Sequence, residues 1–92
     1  MDPSETAFFL QGLSEGKMRD KAIETYCQRI SRDYPVQAAT WAESIGDESA
    51  RLRQIERVGR YWLAEDRDKA TRWLESTALP VSKIEALVKR VQ

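Results

Sequence analysis

Ala38-Ala39-Thr40-Trp41-Ala42-Glu43-Ser44-Ile45 and Ala70-Thr71-Arg72-Trp73-Leu74-Glu75-Ser76-Thr77 stand 32 residues apart and keep Ala, Trp and Glu-Ser in step. The same shift works outward. It carries Phe9 onto Trp41 and then Trp73, and Asp2-Pro3 onto Tyr34-Pro35 and then Asp66-Arg67. It also carries Arg19 onto Arg51 and Lys83, and Ile23-Glu24 onto Ile55-Glu56, with Leu87 continuing the apolar position. Self-similarity at a fixed period of this size is the signature of stacked supersecondary units. The register predicts three repeats, about 2–33, 34–65 and 66–92, inside one domain covering 1–92.

Each repeat reads as two helices. The shorter one opens on an Asp-Pro-like start, where Asp accepts from free N–H groups and Pro suits the first helical position. Its apolar residues recur at helical spacing: Thr6, Phe9, Leu10 and Leu13; Ala38, Trp41, Ala42 and Ile45; Ala70, Trp73, Leu74 and Thr77. Breakers follow at Ser14-Glu15-Gly16, Gly46-Asp47 and Ala78-Leu79-Pro80, so the second helix of each pair returns antiparallel. The longer helices are expected over 17–33, 48–65 and 81–92. Their stripes are Ile23, Tyr26, Cys27 and Ile30; Leu52, Ile55, Val58, Gly59, Trp62 and Leu63; and Ile84, Leu87, Val88 and Val91. One hairpin cannot hide its own apolar face, so the expected fold is all-α, a short α-solenoid of three antiparallel helix hairpins with six helices. Gln92 falls opposite Arg60, which leaves the last helix short of its predecessor and suggests a segment of a longer array, or an end covered by a partner.

Composition narrows the chemistry. A chain of 92 residues buries one modest core. With no His, the commonest general base and metal ligand is missing, and a lone Cys27 leaves neither an intrachain disulfide nor a Cys-rich zinc site. No nucleotide fingerprint, phosphate loop or Ser-x-x-Lys pattern is present, so no enzyme, no cofactor and no metal site is expected. Fifteen basic side chains balance fifteen acidic ones, which argues against a dedicated polyanion binder. The longest apolar stretches, such as Ala7-Phe8-Phe9-Leu10, fall far short of the roughly 20 residues of a membrane span, and the start Met1-Asp2-Pro3-Ser4-Glu5 has no signal-peptide character. A membrane is therefore not among the expected partners, and no compartment is assigned.

The repeated hairpin, with Asp-Pro, then Ala, then Trp-Leu or Trp-Ala, resembles the tetratricopeptide-like and HEAT-like α-solenoid repeats, at a period of 32 and without a specific subfamily. That resemblance implies a non-catalytic scaffold whose helix faces hold a protein or peptide, or further repeats, self-association included.

Three surfaces merit weighing as sites. Arg53, Arg57 and Arg60 lie at i, i+4 and i+7 on the central long helix and form a ridge, with Tyr61 beside the apolar stripe, a combination suited to an interface. The alternative use of that ridge is anion or nucleic-acid binding. Glu56 and Glu85, four residues before Arg60 and Lys89, point instead to local compensation. Ile84, Val88 and Val91 form the candidate terminal stacking surface. The carboxylates around Asp66-Asp68 and Asp47-Glu48 sit where helices begin and read as caps rather than metal ligands. Cys27, inside the packed side, reads as a small core residue, and Gly59 as a place where helices approach closely.

Overall fold

The computed structural model describes residues 16–90. These residues are all-α: five helices account for 81 % of them, and no strand occurs among them. We number the helices α1 (Lys17–Ile30), α2 (Pro35–Glu43), α3 (Glu48–Glu65), α4 (Arg67–Ser76) and α5 (Val81–Arg90).

The expected boundaries hold where a side chain enforces them. Asp47 begins α3 by accepting from Ala50 N at 2.9 Å, and Asp66 begins α4 by accepting from Lys69 N at 3.2 Å. Asp66 is also the C-cap of the preceding helix, so α3 and α4 join through this one residue. The first long helix stops at Ile30 rather than running to 33. Ser31 donates its hydroxyl back to the Cys27 carbonyl, and Pro35 keeps the residue before it, Tyr34, out of helical geometry at φ −133 and ψ 62. The Thr77-Ala78-Leu79-Pro80 connector is tied by Thr77, whose Oγ1 donates to Leu74 O at 2.6 Å and accepts from Leu79 N at 3.3 Å. Leu79 itself is buried and plugs the core from a loop.

The predicted stripes are the core. Ile23, Cys27, Ala38, Ala42, Ile45, Ile55, Val58, Leu63, Ala70, Leu74, Ile84 and Leu87 are buried together. The tryptophans sit at the margin of this core, half-buried. Trp41 meets Tyr26 edge-on with centroids 6.1 Å apart, and Trp62 tilts against Trp73 at 5.5 Å. The Trp residues of α2 and α4 thus each pack on an aromatic ring of the preceding long helix.

Two expectations change. Five helices stand among the described residues where six are expected; the residues expected to form the opening short helix, Phe9, Leu10 and Leu13 among them, lie outside the described residues, as does Val91. Nor do the five helices by themselves display three hairpins or a solenoid. Among the described residues α3 touches α1, α2, α4 and α5 and acts as the hub of a helical cluster.

α3 and α4 approach closely at Gly59. A Cβ placed on Gly59 would stand 2.8 Å from Leu74 Cδ2 and 3.2 Å from Cδ1, inside normal contact distance. Gly59 therefore gives up about 1 kcal/mol of helix propensity relative to Ala in exchange for that packing. In urea unfolding, Gly59→Ala is expected to destabilise by about 1 kcal/mol, overpacking outweighing the gain in propensity. Combining it with Leu74→Ala should cost at least about 1 kcal/mol less than the sum of the single changes; strict additivity would show that the two residues do not meet.

Candidate functional site

The Arg ridge lies on α3, whose outward face meets α1 on one side and α5 on the other. Arg53 is drawn across to α1, its Nη2 lying 3.6 Å from Glu24 Oε1. Glu56 is drawn the opposite way, to Lys83 Nζ of α5 at 4.0 Å, rather than to Arg60 one turn along its own helix. The expected Glu56–Arg60 compensation is thus replaced by a cross-helix pair. Arg57, half-buried, and Arg60, exposed, have no carboxylate within ion-pair distance among the described residues.

Between these side chains lies a shallow basin of about 330 Å³, walled by Glu24, Arg53, Glu56, Arg57 and Arg60 and floored in part by Gln54. Gln54 is a residue the sequence reading passed over. It is only 3 % exposed, and its Oε1 has no hydrogen-bond partner among the described residues. A carboxamide in the buried row of α3, between Arg53 and Ile55, is the signal that was there to be read. Tyr61 is exposed on α3 but is not among the basin's lining residues.

A second surface lies between α4 and α5. Leu79, Val81, Ile84 and Val88 line an open groove of about 590 Å³, with Glu75 and Lys89 at its edge. Ile84 is buried, Val88 half-buried and Val81 69 % exposed. Two members of the expected stacking surface therefore come together here. Lys89, which aligns with Arg57, lines this groove and not the basin.

A polar clamp holds the start of α3. Asp20 of α1 is buried, and its carboxylate accepts from Gly46 N at 2.9 Å and Asp47 N at 3.0 Å. Arg19 adds a bond to Ser44 O at 3.2 Å, and Arg51 one to Ile45 O at 3.0 Å. The Gly46 N–H holds the Asp20 carboxyl below its ordinary value of 3.8, against the opposing effect of burial, with Asp47 N–H, Arg19 and Arg51 assisting. Asp20 was also missed, although it breaks its stripe visibly: Asp20, Ile23, Cys27 and Ile30 share one helix face, and the register matches Asp20 to Leu52 and Ile84.

The thiol of Cys27 is fully buried and donates to Ala38 O at 3.6 Å. Burial first, and Glu24 second, push its pKa up to about 12, which keeps it from acting as a nucleophile at neutral pH. Asp66 and Asp68 stand at the start of α4, Asp66 as its cap. Among the described residues no three His, Cys, Asp or Glu side chains gather as a ligand set, and no helix is long and apolar enough to cross a membrane. No family model, no curated protein and no solved structure matches the chain.

Because the folded-state pKa of Asp20 is depressed, its contribution to stability is present above the unfolded value and is lost as pH falls through the folded one. Asp20→Asn should lower the melting temperature at pH 7 by about 5–10 °C, the loss of a charged acceptor for two backbone donors. The gap to the parent protein should begin to narrow as pH falls past the ordinary carboxyl value of 3.8 and close only below the depressed folded-state value, where both side chains are neutral. A gap that does not narrow at all as pH falls below the ordinary carboxyl value would assign Asp20 no ionic role.

Proposed function

We propose that this chain is a non-catalytic protein-interaction module, a segment of an array of paired helices that binds through helix faces. Its main support is the α4–α5 groove, where Val81 and Val88 lie open beside buried Ile84. Exposed valine next to core costs about 25 cal/mol per Å² of apolar surface left in water, so a covering helix would be favoured.

The occupant that fits is a helical hairpin of the same kind, supplied by a second copy. α2 and α3 pack on α1, and α4 and α5 pack on α3, each short helix resting its Trp on an aromatic of the long helix before it. The register assigns Phe9 to that same position, so the opening segment of another copy, with Phe9, Leu10 and Leu13, has the apolar pattern to continue the series on α5. The lack of any His, the buried Cys27 and the use of Asp47 and Asp66 as caps all favour recognition over chemistry.

Light scattering over a hundredfold concentration range should show species heavier than 10.6 kDa that grow with concentration. Val88→Glu should return the protein to the monomer mass. Val81→Glu, at a site exposed enough to leave melting unchanged, should do the same. A monomer at every concentration would overturn self-stacking through this groove.

A further inference from the structure

Each edge of the basin on α3 is electrostatically settled except one. Glu24 is committed to Arg53 and Glu56 to Lys83, which leaves Arg57 and Arg60 as two guanidinium groups without a carboxylate among the described residues. Between them and the core, Gln54 lines the basin, and its buried Oε1 has no hydrogen-bond partner among the described residues. A buried carbonyl without a donor is uncommon in folded proteins and calls for a reason, because the desolvation it suffered is not recovered. Turning the carboxamide so that its oxygen meets a donor entering the basin would recover it.

We infer that the basin between α1 and α3 binds an extended acidic peptide segment of a protein partner, its carboxylates on Arg57 and Arg60 and one backbone N–H on Gln54. The inference rests on the interaction-module reading and names the chemistry of one partner. Arg57 and Arg60 are three residues apart on one helix, so their side chains leave the surface roughly 5–6 Å apart. In an extended chain, side chains two residues apart lie on one face about 6.5–7 Å apart, so a Glu-x-Glu pattern spans the two guanidinium groups. Guanidinium–carboxylate pairs are directional and charge-assisted, and the half-buried position of Arg57 screens its pair from solvent better than an exposed ridge would.

The same features disfavour a nucleic acid. A phosphodiester backbone brings acceptors only, so a nucleic acid would have to reach Gln54 Oε1 with a base or sugar donor away from its charged groups, whereas every non-proline peptide unit carries an N–H in the backbone itself. Glu24 and Glu56 at the rim oppose a continuous polyanion but not two spaced carboxylates, and the overall charge of zero provides no wider attraction.

The test is fluorescence anisotropy of the 92-residue chain with a labelled acetyl-Gly-Glu-Ala-Glu-Gly-amide peptide, beside a copy N-methylated at the central Ala. We expect saturable binding, weakened about tenfold by Arg57→Gln and by Arg60→Gln. Gln54→Leu should weaken it by about fivefold or more while leaving melting unchanged or higher, because it removes an orphaned polar atom; a purely structural Gln54 would instead lower melting. N-methylation should weaken binding to the parent protein but not further to Gln54→Leu. No saturation at millimolar peptide, or binding indifferent to Gln54→Leu and to N-methylation, would overturn the proposal. Displacement of the peptide by a short single-stranded oligonucleotide at lower concentration, with a steep salt dependence, would transfer the basin to phosphate binding. Self-association through the α4–α5 groove is measured separately, so its persistence alongside a failed peptide titration would sink this inference and not the module.

Discussion

The carboxylate of Asp20, reaching from α1 to the backbone N–H groups of Gly46 and Asp47, determines where α3 begins and how it lies against α1. Helix starts present unsatisfied N–H groups, and a charged acceptor supplied by another helix satisfies them while joining two elements far apart in sequence. Asp47 is thereby held in place to cap α3 at Ala50, and Arg19 and Arg51 close on the carbonyls of the same turn. Donors and acceptors from three elements converge there, so the turn has little freedom to shift.

The remaining helices take their positions from α3. Gly59 lets α4 approach until Leu74 fills the space of the missing Cβ, and the single-residue junction at Asp66 prevents α4 from sliding along α3. α5 follows through the buried plug of Leu79 and the Glu56–Lys83 pair. The exposed pair is worth little in stability, but it selects a partner for Glu56 and so leaves Arg60 uncompensated. Packing and charge are linked at this point: the pair that joins α5 to α3 turns Glu56 away from Arg60, which borders the basin.

The two surfaces differ in physical kind. The groove at α4–α5 is apolar and is driven toward cover by the hydrophobic effect, which has no direction and tolerates several occupants. The basin at α1–α3 is polar, with paired rim charges and, among the described residues, two guanidinium groups without a carboxylate and a buried carbonyl without a donor, and polar groups of this kind favour a ligand by geometry.

From the sequence alone came whatever depends on spacing along one helix: the stripes of Ile23, Cys27 and Ile30 or Ile55, Val58 and Leu63, the caps at Asp47 and Asp66, and the close approach at Gly59. Backbone periodicity and capping are local, so residues within a few positions of one another specify them. Only the tertiary structure decided that α3 is a hub, that Asp20 is a clamp and not a solvated charge, and that Leu79 belongs to the core and not merely to a turn. It also decided that Glu56 pairs with Lys83 rather than Arg60, and that Gln54 is buried without a donor. On a helix surface a charged side chain has partners of similar strength at i+4 and on each neighbouring helix, and their differences are fractions of a kcal/mol. The choice among them is made by how the helices pack.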